Sequence, residues 1–237
     1  EIDLRYTDAL TMADHVMTTR HVIKELARQA GLVASFMPKP LSHEQGSGMH
    51  THLSLWRGEE NAFIGDGPYG LSPLAQQFIA GLVRHAPEIT AVTNQWVNSY
   101  KRLVPGHEAP VNAAWSHHIP SSLVRVPTVK AGRMESTRLE YRAPDPAANP
   151  YLAFAVILAA GLKGIEGGYS LPDEGASVTS LPRSLAEAVD LMETSELLHQ
   201  TLGDHLVEWF LRNKREEWAS YRSEVTPFEW ARYLPLL

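Results

Sequence analysis

The sequence predicts an α+β domain, a mostly antiparallel sheet with helices packed on its outer face. Two kinds of stretch lead there. Short segments alternate apolar and polar residues with the period of two that a pleated strand requires, most clearly residues 49–56 and 138–142. Longer segments repeat apolar residues every three, four or seven positions, and the tail beyond Pro182 is helical throughout. With 237 residues the chain can bury a sizeable core in one large domain.

Taken in order, residues 1–6 set Ile2 and Leu4 against Glu1, Asp3 and Arg5, the pattern of a short strand. Residues 10–30 carry Met12, Val16, Ile23, Leu26 and Ala30 at helical spacing, with Gly31 closing the helix. Residues 32–37 form a second strand candidate, stopped by Pro38-Lys39-Pro40. A polar loop then opens into 49–56, where Met49, Thr51, Leu53 and Leu55 share one face and His50, His52, Ser54 and Trp56 the other. Ser72, followed by Pro73, starts a helix to about His85, and 87–93 adds a further turn or two. Residues 98–110 read as a stiff loop; 111–115 and 123–126 read as strands. Residues 151–165 are small and aliphatic all round, which predicts a buried helix, and 167–182 is an irregular connection. In the tail, Ser184-x-x-Glu187 and Thr226-x-x-Glu229 have the spacing of capping boxes, and 204–221 is amphipathic.

Composition narrows the function. Hydrophobic residues make up 44% and charged residues 20%, ordinary values for a soluble globular chain. The net charge of −6 argues against a nucleic-acid partner, whose phosphates favour a basic surface. No apolar run approaches a membrane span and nothing reads as a signal peptide. The absence of cysteine excludes disulfides and thiolate chemistry and fits a cytoplasmic setting.

Three stretches hold the candidate chemistry. On the strand 138–142, Leu139 and Tyr141 share one face while Arg138, Glu140 and Arg142 line the other. Such a row is either a solvated edge with a cross-strand ion pair or a ligand-facing surface. The prolines of Ala143-Pro144-Asp145-Pro146, followed by Asn149-Pro150-Tyr151, make a rigid strand-to-helix corner that places those charges for a ligand. His50 and His52, two apart on a strand, can face one ligand or lie on an ordinary surface. In 98–110, Lys101-Arg102 precedes Val104-Pro105-Gly106-His107-Glu108-Ala109-Pro110, a loop stiff enough to carry function.

Together, Gln45-Gly46-Ser47-Gly48-Met49-His50-Thr51-His52, the run 98–110, and Arg138-Leu139-Glu140-Tyr141-Arg142 with Asp145-Pro146 and Asn149-Pro150-Tyr151 resemble the signatures of type I glutamine synthetase in order and spacing. The similarity runs over nearly the whole chain. It implies the C-terminal catalytic domain, 1–237, incomplete at its N-terminus, with a β-grasp domain and the first catalytic strands upstream. It also implies ATP-dependent ligation of glutamate and ammonia through a γ-glutamyl phosphate, with two Mg²⁺ or Mn²⁺ ions, in a ring-forming homo-oligomer. Both steps crowd anions together, so the chemistry calls for cations and fixed positions.

By motif position the resemblance assigns His50 and Glu140 to the nucleotide-side metal and Glu1 to the substrate-side metal. Arg102 would pair with the α-carboxylate of glutamate, Arg142 with the reacting carboxylate and Arg125 with the transferring phosphoryl group. Arg138 and Ser54 would lie along the nucleotide, and Gly46 would offer backbone to the substrate amino group. Glu108 would close the site and take a proton from the incoming ammonium. Two residues depart from the family pattern. Gln45 stands where Asn is usual, near the glutamate side chain, and Pro120 stands where a second phosphate-facing arginine is usual. Relatives that join glutamate to polyamines or other amines share the scaffold, so a larger amine is an alternative substrate; a non-catalytic ring-forming homologue is an alternative of another class. The resemblance further implies that the chain is inactive in isolation, and Tyr169-Ser170-Leu171-Pro172 is similar to a loop that some members adenylylate.

Overall fold

The computed structural model describes residues 2–130 and 132–237. Its centre is a sheet of four short strands in the order β1 (Thr51–Leu53), β7 (Leu139–Tyr141), β6 (Val124–Arg125), β5 (Trp115–Ser116). The first two pairings are antiparallel and β5–β6 is parallel. Two ribbons complete the strands: β2 (Trp56–Arg57) with β3 (Glu60–Asn61), and β4 (Asn112–Ala113) with β8 (Thr179–Ser180). The helices are α1 (Ala9–Gln29), α2 (Pro73–Thr93), α3 (Ser99–Arg102), α4 (Pro150–Glu166), α5 (Leu185–Glu193), α6 (Glu196–Leu202), α7 (Asp204–Ser223) and α8 (Pro227–Tyr233). The α+β class and the mostly antiparallel sheet are as the sequence predicts.

The core lies between the sheet and α2 and α4, where Phe78, Leu82, Ile89, Leu139, Tyr141 and Val156 are fully enclosed. Burying each such side chain contributes about 1.5–3 kcal/mol. α2 and α4 cross at glycines. A Cβ on Gly81 would sit 2.3 Å from the Ala160 carbonyl oxygen, and one on Gly164 would sit 2.1 Å from that of Gln77. Hydrogen side chains are what let these backbones meet. Ser72 caps α2 by accepting the Ala75 N–H, and Asn149 caps α4 through Tyr151 and Leu152.

α2 runs unbroken through Pro87 instead of pausing near His85. Pro87 removes one intrahelical donor, and the buried Val83, Ala86 and Ile89 around it hold the turn in place. The loop 98–110 contains a full turn of helix, α3, that its prolines disguise. The predicted strand 49–56 divides into β1 and β2, and 111–115 divides into β4 and β5, which join different sheets.

Residues 2–6 and 32–37 are not strands. A strand persists only where a neighbour takes its N–H and C=O groups, and among the described residues nothing pairs with either segment. Val33 is 96% exposed as a result. α1 buries only Ala13, and its predicted stripe leaves Leu26 exposed. α4 is not enclosed on all sides either, because Leu158 and Leu162 reach solvent. Of the two predicted capping boxes only Thr226–Glu229 is reciprocal. Glu187 turns instead to the N–H of Arg183.

A carboxylate ties α2 to the helical tail. Glu88 accepts the Ser195 hydroxyl, which is also the cap of α6, and pairs with His85 Nδ1 on its own helix. Burial pushes the Glu88 carboxyl up, but the His85 and Ser195 hydrogen bonds outweigh it and hold it below its ordinary value of 4.5. A depressed carboxylate stabilises the fold above that value and loses the contribution as pH falls through the lower, folded-state pKa. Glu88→Gln is therefore expected to unfold at a lower urea concentration than the parent at pH 7. The gap should close in acid as the pH falls through the lowered, folded-state pKa of Glu88. A gap that persists unchanged at pH 3 would show that the charge is irrelevant.

Candidate active site

Register builds the site. On β1, β7 and β6, His52 lies opposite Glu140 and Glu140 lies opposite Arg125, so one row of side chains crosses three strands. Glu140 is 2% exposed and sits at the centre. Its Oε2 accepts from Arg125 Nε, and its Oε1 accepts from Arg142 Nη1 at 2.6 Å and lies 3.2 Å from His50 Nδ1. Burial pushes this carboxyl up; the hydrogen bonds from His50 and Arg125 and the charge of Arg142 overcome that and hold it down at about 2. Glu140 is therefore an anion across the neutral range, surrounded by cations.

Arg142 is buried, and its Nε–H has no hydrogen-bond partner. An orphaned guanidinium donor is costly unless an acceptor reaches it, and this one is enclosed, so neighbouring groups must shift before an anion can meet it. Arg125 is more accessible, its side chain 37% exposed.

Arg102 comes from α3. Its guanidinium is 3% exposed and holds the strand-to-helix corner, with Nη1 donating to the carbonyls of Ala143 at 2.6 Å and Pro144 at 3.4 Å, and Nη2 donating to Arg142 at 3.1 Å. Of the five N–H donors of an arginine this leaves Nε–H and one Nη2–H. Burial pulls its pKa down to about 10, against the opposing charge of Asp145. Asp145, itself buried, is anchored by Asn94 Nδ2 at 3.0 Å and the Ala147 N–H at 3.1 Å. Sequence reasoning passed over Asn94 and gave Asp145 no role. The Asp-Pro dipeptide after the charged strand was the one signal available.

Glycines let the first motif come close. A Cβ on Gly48 would stand 2.6 Å from Arg102 Nη2 and 2.8 Å from His50 Nε2; one on Gly46 would stand 2.7 Å from the Pro38 carbonyl oxygen and 2.8 Å from Arg102 Cγ. The Met49 N–H bonds the Pro144 carbonyl, so this segment runs along the same corner. Gln45 accepts the Glu108 N–H at 3.2 Å, which fastens the Pro-Gly loop to the first motif, with the Glu108 side chain exposed.

The remaining candidates lie further out. Arg138 reaches His52 Nδ1 at 3.3 Å, and Ser54 accepts from Trp56 Nε1 at 2.9 Å. Pro120 is exposed on the connection between β5 and β6. Tyr169 lies apart, its hydroxyl 3.3 Å from His85 Nε2 and its ring under Arg84. Glu1 falls outside the described residues.

A divalent ion can be tested against these groups. His50 and Glu140 supply the imidazole and oxygen donors that Mg²⁺ or Mn²⁺ sites accept. They are brought together from distant parts of the chain, so the pair fits. It is not a complete shell: among the described residues no group of three or more acidic or imidazole side chains converges. Both Glu140 oxygens are also engaged by cations, with which an ion would compete.

Fold and site together define a sheet-and-helix domain that gathers arginine and histidine around one buried carboxylate at a rigid corner. The family model described as "Glutamine synthetase, catalytic domain" matches residues 1–233, and the chain belongs to that family. It is 54% identical to the glutamine synthetases of Mycolicibacterium smegmatis and Mycobacterium tuberculosis, with all of this chain and 56% of each relative aligned. With that of Methanocaldococcus jannaschii it shares 44% identity over 99% of this chain and 54% of the relative. The chain thus spans about half the length of these curated relatives. Among solved structures it is similar to a GmaS/ADP complex, with a TM-score of 0.87 and 40% identity over 98% of this chain and 56% of the other. The ligand-free GmaS structure gives a TM-score of 0.85 at 40% identity, over 97% and 55%. No helix among the described residues is long and apolar enough to cross a membrane.

Proposed function

We propose that this chain is the catalytic domain of an ATP-dependent ligase that joins ammonia to the side-chain carboxylate of glutamate. The observation that carries the reading is the meeting of three distant motifs at one corner: Arg102 clamps the carbonyls of 142–144 and Gly48 packs between Arg102 and His50. In the first step a glutamate side-chain oxygen attacks the γ-phosphorus of ATP and ADP departs, giving γ-glutamyl phosphate. In the second, ammonia attacks the acyl carbon, phosphate leaves, and the nitrogen gives up a proton.

Each residue has a part. Arg142 meets the reacting carboxylate, and Arg125, released from Glu140, takes the phosphoryl oxygens. Such fixed cations act where charge accumulates. Arg102 offers its remaining donors to the α-carboxylate, Gly46 and Gln45 line the glutamate, and Arg138 and Ser54 lie along ATP. Glu108, held at its backbone by Gln45, accepts the ammonium proton while its loop keeps water from the acyl phosphate. His50 and Glu140 would hold a nucleotide-side Mg²⁺ or Mn²⁺ and Glu1 a substrate-side one, and the two ions would supply positive charge beside the phosphates. The ADP of the similar GmaS complex supports the nucleotide part of this reading.

The amine has a second reading. Gln45, one of the two departures from the family pattern, is the residue that grips the Glu108 loop, so the change falls where the amine would enter. The test is phosphate release from ATP by this chain joined to the N-terminal region of a curated relative, with glutamate and a panel of ammonia and larger amines. Glutamate- and ammonia-dependent release is expected, and none from the 237-residue chain by itself. Turnover only with a larger amine would move the assignment to the second reading. No turnover from a folded, ring-forming protein would favour a non-catalytic homologue.

In the joined protein, Pro120→Arg restores a cation on the connection leading to Arg125. It is expected to raise kcat/KM for ATP by about tenfold. Identical kinetics would show that the position has been compensated.

A further inference from the structure

Lys39 is 8% exposed, and among the described residues no carboxylate lies within ion-pairing distance of it. Its ammonium donates to the Glu44 carbonyl and has two further N–H donors. Lysines this enclosed are almost always paired with an anion, because an unmatched charge out of water is expensive. The same side chain lines a cavity of about 420 Å³. Lys101 and His107 line it too, with Ser42 and Asn98 and no aspartate or glutamate. Lys101 also lacks a carboxylate partner; its ammonium lies 5.6 Å from the centre of the Tyr221 ring, which consumes no N–H donor. His107 Nδ1 is buried with no hydrogen-bond partner.

We infer that this cavity binds a small oxyanion, a phosphate or a carboxylate, between Lys39, Lys101 and His107. The site is separate from the Glu140 cluster, whose residues do not line it. Its walls come from two segments that also build the candidate active site. Lys39 precedes Gln45 and Gly46, and Lys101 and His107 flank Arg102 and adjoin Glu108. Asn98 already joins the two, its side chain bonding both the N–H and the carbonyl of Lys39, at 2.7 and 3.1 Å. An oxyanion bridging the two lysines and His107 would draw the Glu108 loop onto the 37–47 segment. The inference stands whether or not the ligase reading does.

The test is calorimetric titration of inorganic phosphate into the chain at fixed ionic strength, with chloride as control and acetate as a second probe. Saturable phosphate binding is expected, with slower hydrogen exchange across 103–110. Lys101→Ala, an exposed position whose loss spares the fold, should weaken binding about tenfold, and Arg125→Gln should leave it unchanged. Acetate binding as tightly as phosphate would mean that the pocket takes carboxylates, which upholds the inference. A response no larger than that of chloride would overturn it. So would binding that Arg125→Gln weakens as much as Lys101→Ala does, since the anion would then sit in the Glu140 cleft.

Discussion

Glu140→Ala is expected to destabilise the domain by about 4 kcal/mol, because it strips a buried cation of its partner. Arg142 is 6% exposed and already carries one unpartnered donor, and among the described residues Glu140 is its ion-pair partner, so the substitution leaves that buried charge unpaired. Arg125 and His50 are more accessible and can turn to water at smaller cost. Glu140→Gln keeps the shape and one acceptor and should cost about half as much. Adding Arg142→Met to Glu140→Ala should recover much of the loss, since buried ion pairs replaced by apolar groups are often neutral or better. Urea unfolding followed by circular dichroism of the parent, Glu140→Ala, Arg142→Met and the double variant gives the coupling between the two sites, and Glu140→Gln is measured beside them. Additive effects of the two substitutions would mean that the buried pair is not the reason Glu140 matters.

What was legible in the sequence is what is decided locally. The face shared by Arg138, Glu140 and Arg142 follows from the pleat alone, and Ser72, Asn149 and Thr226 announce their helices because a cap needs only the next three residues. The corner after Arg142 was readable from its prolines. Pairing was not. Residues 2–6 and 32–37 alternate as well as β7 does, but β7 has β1 and β6 beside it and they have no neighbour among the described residues. The split of 111–116 between two sheets depends on Thr179 and Ser180, far along the chain. In the site, resemblance supplied the residues to watch, and the structure brings His50, Arg125, Glu140 and Arg142 together. The unpartnered Arg142 Nε and His107 Nδ1 and the burial of Lys39 arise only from packing, and no spacing rule reveals them.

Arg102 shows the same limit most sharply, and it carries the other large expected effect. The sequence marks it as a partner for a substrate carboxylate. The structure shows that it also closes the fold, by tying α3 to three consecutive carbonyls of the corner. Removing the guanidinium leaves the Arg142 carbonyl without a donor in a dry site, while Ala143 keeps the Asn94 amide and Pro144 keeps the Met49 N–H; each buried unsatisfied group costs about 1–3 kcal/mol. Arg102→Met, which keeps the apolar stem but also strips buried Asp145 of its partner charge, is therefore expected to cost about 3 kcal/mol, with a fall in melting temperature of about 8 °C for a chain of this size. Arg102→Lys keeps the charge but concentrates three donors on one nitrogen. It cannot span 142–144 as a planar fork does, so it should recover less than half of the loss. Asp145 sharpens the test, because its buried carboxyl gains from the Arg102 charge. Asp145→Asn should therefore soften Arg102→Met, while leaving Arg102→Lys almost as it was. Thermal and urea unfolding of the three single variants and the two double variants measure this directly. If lysine restores full stability, charge alone is what the corner needs, and the clamp across three carbonyls is not what holds it.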